Sequence, residues 1–224
     1  MLDPSFDYVL RWPSLAARPM PAPDARRGLP DCYAIHGYAI VSDDGMIANR
    51  DGTMPAALRN EADWRYFQAG LDLADLVLLG RKSHESHPDH RRLRLVASTS
   101  VESLDKRSDA WWWNPSAVPL GHVLETILPG GGRVAVPGGQ GVFDLLSDAG
   151  AFSYFHLARA VGVRIPNGHP IFSAIARGMT VESVLARSGM RPGESSVIDP
   201  VAPVVLAVWQ RCASDVSSLS PAHH

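Results

Sequence analysis

The apolar positions of this chain come in short runs cut apart by glycine, proline and charge. Tyr33 to Ser42 is one such run, and Asp43-Asp44-Gly45 after it reads as a turn. Leu76 to Leu79 is a continuous apolar run, which suits a strand buried on both faces. Arg92 to Ser98, Arg133 to Val136 and Phe152 to Arg159 read as further strands. Between them the period changes. Asn60 can cap a helix running to about Ala74, with Trp64, Phe67, Leu71 and Ala74 as its apolar stripe. Ser116 to Leu128 predicts a second helix, closed by Pro129-Gly130-Gly131-Gly132. Val142, Leu145, Leu146 and Ala149 form one face of a third. Val181 to Ala186 and Val204 to Trp209 read as two late strands. Strands alternating with helices predict an α/β fold around a mainly parallel sheet.

Composition narrows this picture without redirecting it. A chain of 224 residues that is 46% hydrophobic is no disordered segment, and it can bury roughly 70% of its unfolded surface. A net charge of −2 gives no reason to expect nucleic acid or an anionic membrane as partner. No apolar run reaches the ~18 residues of a membrane span, and the N-terminus lacks a basic segment followed by an apolar one. Two cysteines, Cys32 and Cys212, make no disulfide framework, so a cytoplasmic location is expected. Residues 1–32 form a proline-rich extension with Pro4, Pro13, Pro19, Pro21, Pro23 and Pro30, whose Phe6, Tyr8, Val9, Leu10 and Trp12 fit a strap on the core. The folded domain is expected over 33–212, with 213–224 as a tail.

Two strand ends carry the candidate chemistry. The strand ending at Pro137 runs into Gly138-Gly139-Gln140-Gly141 and then a helix. Glycines there let backbone approach a ligand where a Cβ would block it, and the helix offers unpaired N–H groups and its positive dipole end. The physical reading is an anion site, most simply for a nucleotide diphosphate, although Gly-Gly also ends strands in ordinary turns. Leu79 meets Gly80-Arg81-Lys82-Ser83, a glycine followed by three donors. Arginine forks onto phosphate oxygens as lysine cannot. Two such loops suggest one extended, multiply charged ligand along the carboxyl edge of a parallel sheet.

In order along the chain, four segments resemble the dihydrofolate reductases and the related pyrimidine reductases of the riboflavin pathway. They are Ala39 to Ala48, Leu78 to Glu85, Leu95 to Thr99, and Pro137 to Phe143. The resemblance spans roughly Tyr33 to Phe172. It implies a three-layer fold with an antiparallel C-terminal hairpin, and an NADPH-dependent reductase acting on a small heterocycle. It places the cofactor against Ala48, Gly80, Arg81, Lys82, Ser83, Ser98, Thr99, Gly138, Gly139, Gln140, Gly141 and Val142. It places the substrate against Ile40, Phe67 and Ala158. The family's substrate-holding acid falls on the first helix, where Glu61 and Asp63 both qualify. At ~100° per residue Asp63 lies closer to the apolar stripe, so it is the expected residue to hold substrate and support proton delivery. The alternative role for Asp63 is simple stabilisation of the helix dipole.

Departures leave the substrate half open. Ala158 stands near where dihydrofolate reductases have a threonine, residues 49–55 lack the usual tryptophan, and no arginine is placed to clamp a folate tail. A pterin without that tail is one candidate, and a ribosylated pyrimidine with Arg159 or Arg164 on its phosphate is another. A non-catalytic nucleotide-binding or oligomerisation protein is the third. The run Trp111-Trp112-Trp113 reads as part core and part dimer contact, which leaves a homodimer open, or as a stacking surface. His84, His87 and His90 have a metal-like spacing, but Pro88 breaks the helix that would align them, so no metal is expected. His36 and His156 sit inside strands as core or pocket residues, and His169 to Phe172 falls where the resembled family has a loop touching the active-site side.

Overall fold

The structure, a computed structural model, describes residues 29–88 and 91–212. The strands are β1 (Tyr33–Val41), β2 (Met46–Ala48), β3 (Leu76–Gly80), β4 (Arg94–Ala97), β5 (Leu104–Lys106), β6 (Trp111–Trp113), β7 (Gly132–Val136), β8 (Tyr154–Ala160), β9 (His169–Pro170), β10 (Met190–Asp199) and β11 (Val204–Arg211). The helices are α1 (Glu61–Asp72), α2 (Arg81–Glu85), α3 (Leu120–Ile127), α4 (Gln140–Asp148) and α5 (Val181–Arg187). Nine strands form one sheet in the order β10-β11-β8-β1-β7-β3-β4-β6-β5. The six from β8 to β6 are parallel, and the two ends are antiparallel. Strands β2 and β9 pair separately, Ala48 opposite His169.

The alternation along each strand builds three layers. Leu76, Leu78, Val134 and Val136 face the core formed with Val123 and Leu124 of α3, Phe143 and Leu146 of α4, and Val184 and Leu185 of α5. Val77, Leu79 and Ala135 point the opposite way, with Tyr38, under Leu71, Phe67 and Tyr66 of α1. The expected continuous apolar run at Leu76 to Leu79 is thus a strand covered on both sides.

Several expectations are corrected. Val181 to Ala186 is a helix, not a strand. Thr180 accepts from the Ser183 backbone N–H while the Ser183 hydroxyl accepts from the Thr180 N–H, a capping box, and Val181, Val184 and Leu185 then share one face. The C-terminal hairpin is β10 with β11 instead. Helix α3 starts only at Leu120, because Asn114 nucleates a turn over residues 114–118 and Pro119 takes the cap. Arg81 to Glu85 coils into a short helix rather than a loop. Trp64 leaves the apolar stripe of α1 and is 57% exposed; the buried side is Gly70 and Leu71 with Tyr38 beneath.

The tryptophan run is strand β6. Trp113 packs in the main core and donates its indole N–H to the Val118 carbonyl at 2.8 Å, while Trp112 faces the opposite side with Val96, Val101 and Ala110. Trp111 lies under Lys106. His84 is buried, 2.8 Å from Asp109, and the described residues contain no cluster suited to a metal ion. His90, the N-terminal strap and the C-terminal tail lie outside the described residues. No helix among the described residues is long and apolar enough to cross a membrane.

Candidate active site

The carboxyl ends of β3, β4 and β7 open onto a cleft of about 1030 Å³. Gly80, Arg81, Lys82 and Ser83 line it from β3 and α2; Ala97, Ser98 and Thr99 from β4; Gly139, Gln140, Gly141 and Val142 from the turn into α4. Ala48 and His169 close it from the small sheet. Every expected cofactor residue therefore lies on one cleft except Gly138, which sits one residue behind it in the turn. Pro170 follows His169, and its carbonyl accepts from the Gln140 side chain at 3.0 Å, which ties the small sheet to the start of α4.

Gly139 caps α4 with no side-chain hydrogen bond and φ of 94°, a conformation that L side chains rarely adopt. A Cβ there would project between Ser83 Oγ and the Gly80 N–H, 3.9 and 4.0 Å away. The glycine thus leaves a hollow a side chain would fill, at the N-terminus of a nine-residue helix with no acid in its first turn. Among the described residues Arg81 makes only a long ion pair, 3.8 Å to Glu85 across one turn of α2, with both side chains more than half exposed. Such a pair is worth roughly 0.3–0.5 kcal/mol and yields readily to a stronger anion. The cleft suits a phosphorylated, nucleotide-sized ligand by shape and by donor set.

A second cavity of about 150 Å³ lies on the α1 side of the same sheet edge. Its lining includes Ile40, Met54, Asp63, Trp64, Tyr66, Phe67 and His156. Pro137 belongs to this cavity and Gly139 to the cleft, so the end of β7 divides the two. Among the described residues Asp63 is the one carboxylate in the lining, and burial pushes it up to about 6. Its backbone N–H is capped by Asn60, 3.0 Å away, which fixes it on the third residue of α1. Glu61 points to solvent beside Arg65. Ala158 is a correction: it pairs with Ile40 and Leu206 inside the sheet, 1% exposed, and lines neither cavity. Its strand neighbour at the cavity is His156, two residues earlier and on the same face.

Arg159 is engaged elsewhere. It donates to the Ser42 carbonyl at 3.1 Å and the Asp43 carbonyl at 3.3 Å and pairs with Glu182, which ties the turn after β1 to α5. Arg164 is exposed and lines neither cavity. Sequence reading singled out neither Tyr38 nor Tyr66. One available signal was the i, i+2 placement of His36 and Tyr38 on one face of β1, and the i, i+3 placement of Asp63 and Tyr66 on α1.

No family model matches the sequence, and neither does any curated protein. Solved structures do. A protein assigned to riboflavin biosynthesis from Shewanella sp. PV-4 aligns with a TM-score of 0.56 at 14% identity, over 80% of this chain and 99% of that one. The diaminohydroxyphosphoribosylaminopyrimidine deaminase/5-amino-6-(5-phosphoribosylamino)uracil reductase of Thermotoga maritima aligns with a TM-score of 0.57 at 14% identity. That match covers 80% of this chain and 57% of the two-activity protein. Dihydrofolate reductase of Enterococcus faecalis, complexed with NADP(H) and RAB-propyl, aligns with a TM-score of 0.53 at 14% identity, over 80% of this chain and 96% of that one. The chain has the dihydrofolate reductase-like fold, as the ordered motifs predict.

Proposed function

We propose that this protein is an NADPH-dependent reductase of a pterin or related small heterocycle, working in the cytoplasm. The observation that carries the reading is the pairing of two sites on one sheet edge. A glycine-lined cleft with Arg81, Lys82 and Ser83 adjoins a small aromatic cavity holding a single desolvated carboxylate. When bound, the nicotinamide would supply a hydride; the chain's own task is to hold the heterocycle against it and help move a proton. Asp63 suits a ring edge that presents two N–H donors, since a carboxylate accepts both at once.

The two riboflavin-pathway neighbours favour a second reading, reduction of a pyrimidine ribotide. The lining of the small cavity weighs against it: no arginine or lysine among the described residues faces that space to hold a ribose phosphate. The same lining offers no clamp for a folate tail. A non-catalytic nucleotide-binding role predicts Asp63 facing open solvent, whereas Asp63 lines the cavity and is desolvated. NADPH oxidation followed by absorbance against dihydrobiopterin, dihydrofolate and a pyrimidine ribotide tests the assignment. Turnover of dihydrobiopterin is expected, and silence with all three refutes it.

Arg81 should read the 2′-phosphate of the cofactor. A charge-assisted bidentate contact is worth roughly 1.5–3 kcal/mol. Arg81→Ala is expected to weaken NADPH binding by about tenfold or more in calorimetric titration and to leave NADH unchanged. Equal losses for both cofactors would show that Arg81 does not read that phosphate.

A further inference from the structure

The small cavity contains a polar element that Asp63 does not explain. Tyr66 Oη lies 2.6 Å from His156 Nδ1, and His156 Nε2 lies 3.1 Å from His36 Nδ1. The three residues come from α1, β8 and β1 and form one chain of hydrogen bonds. Tyr66 and His156 line the cavity, while His36 stands behind them at 2% exposure. The ring of Tyr38 stacks on His156, 4.3 Å away and 3° from parallel. That packing depends on Gly70, where a Cβ would come within 2.6 Å of the Tyr38 ring. At the far end His36 stacks on Tyr154, which is partly exposed.

No member of the chain is charged near neutral pH. Burial, then His156, then Arg133 push His36 down to about 2. Burial and Arg133 push His156 down to about 3. Burial, with Tyr38 and Asp63 beside it, raises Tyr66 above the ordinary phenol range. Among the described residues, Asp63, Tyr38 and Arg133 are charged or titratable groups that act on this network.

A neutral imidazole donates from one nitrogen and accepts at the other. The chain therefore has two self-consistent polarities. In the first, His36 Nδ1–H donates to His156 Nε2, His156 Nδ1–H donates to Tyr66 Oη, and the Tyr66 O–H points into the cavity. In the second every bond is reversed, and Tyr66 Oη accepts from the cavity instead. Asp63 and Tyr66 lie one turn apart on the same face of α1. A ring held at its edge by Asp63 therefore lies alongside the Tyr66 hydroxyl.

Resting on the function proposed above, we infer that the Tyr66 hydroxyl hands the proton to the ring nitrogen of the bound heterocycle, and that His156 and His36 resupply it as a neutral relay. As hydride reaches the carbon of the C=N bond, the π pair moves onto nitrogen, and that nitrogen takes the Tyr66 proton. Tyr66 Oη takes the proton of His156 Nδ1. His156 Nε2 takes that of His36 Nδ1, and His36 Nε2 takes one from water. One hydride and one water-derived proton are added to the ring, the hydroxide left behind is neutralised by a bulk-solvent proton, and no residue is left charged. The transfer converts the first polarity into the second. The C=N nitrogen of the substrate is an acceptor and the N–H of the product is a donor, so the same hydroxyl satisfies both. Tyr66 is the catalytic group in this scheme, and the two histidines are positioning and relay residues.

Two measurements on the full chain test this. Nitrogen-15 histidine spectra of the free protein are expected to show His36 and His156 neutral, hydrogen-bonded to each other, and unchanged between pH 5 and 8. Titration of either ring in that window, or no hydrogen bond between them, overturns the relay whatever the activity. The second measurement follows the hydride step by stopped flow, with dihydrobiopterin as probe. Tyr66→Phe should slow that step about a hundredfold, at the lower end of general acid–base effects, with NADPH affinity unchanged. His36→Phe keeps a buried ring but cuts the relay. It should change a curved dependence of rate on deuterium content into a linear one, which a merely structural role would not do. A wild-type rate in Tyr66→Phe, or a curve retained in His36→Phe, overturns the inference. A wild-type protein that reduces none of the three heterocycles overturns the proposed function and the proton hand-off with it, while the histidine spectra still decide whether the relay exists.

Discussion

Gly139→Val is expected to lose NADPH binding by about a hundredfold or more while the protein stays folded. Two effects combine. The first is steric: the nearest atoms to a Cβ at this position are Ser83 Oγ, the Gly80 N–H and Val142, all at 3.9 to 4.0 Å. The added atoms therefore meet no wall and instead occupy the hollow between the ends of β3 and β7. That hollow is where a phosphate would meet the N-terminus of α4. The second is conformational: a φ of 94° costs an L residue roughly 1–2 kcal/mol, so some loss of melting temperature accompanies the change. Gly178→Val separates the two. Gly178 also has positive φ, at 86°, with nothing within 4 Å of its Cβ position, and it lines neither cavity. Both variants should melt earlier than wild type, and only Gly139→Val should fail in calorimetric titration with NADPH. Full affinity in folded Gly139→Val would reduce these glycines to an ordinary turn.

The parallel core and the residues that gather on the glycine-lined cleft were legible because each depends on short stretches of chain. Leu76 to Leu79 announces a strand covered on both faces, and the glycines and donors that follow it mark the strand end. Other features depend on partners far away. The tryptophan run becomes a strand only because Leu95, Val96 and Ala97 lie beside it, and nothing within the run signals that pairing. The Tyr66–His156 and His36–His156 bonds span 90 and 120 positions. The residues were visible one at a time, and their connection was not. Two misreadings had local remedies. Val181 to Ala186 is rich in valine and imitates a strand, yet Thr180 and Ser183 spell a capping box directly in front of it. On α1 the stripe of Trp64, Phe67, Leu71 and Ala74 leaves out Gly70, which carries no hydrophobic signal and is one of the two buried positions of the helix. Its missing side chain admits Tyr38. The centre of the stripe moves accordingly, and the rotation brings Asp63 and Tyr66 onto the cavity.

Asp63→Asn is expected to reduce turnover of the active heterocycle by about a thousandfold, within the range of general acid–base and charge-pairing effects. The amide keeps the size of the side chain but offers one acceptor and one donor where the carboxylate offers two acceptors. A ring edge with two N–H groups then meets one donor head-on, and in a desolvated cavity that mismatch is costly. NADPH affinity should stay near wild type, because the cleft residues lie beyond the end of β7. Glu61→Gln is the internal control and should be mild, since Glu61 faces Arg65 in solvent. The pH profile gives an independent check. Asp63 sits at about 6 in the free protein, raised from its ordinary value by burial. Burial penalises the charged form, so the stability this group contributes is present at low pH and is lost as pH rises through about 6. Recognition runs the other way, since pairing with two donors requires the carboxylate. Heterocycle binding should therefore strengthen as pH rises through about 6 in the wild type, and the same curve should be flat in Asp63→Asn. The two slopes have opposite sign for one reason: the cavity holds a charge at a cost to the folded chain, and a ligand with a matching edge offsets that cost. A wild-type affinity that does not change between pH 5 and 7, or a Glu61→Gln variant that is the crippled one, would remove Asp63 from the substrate site.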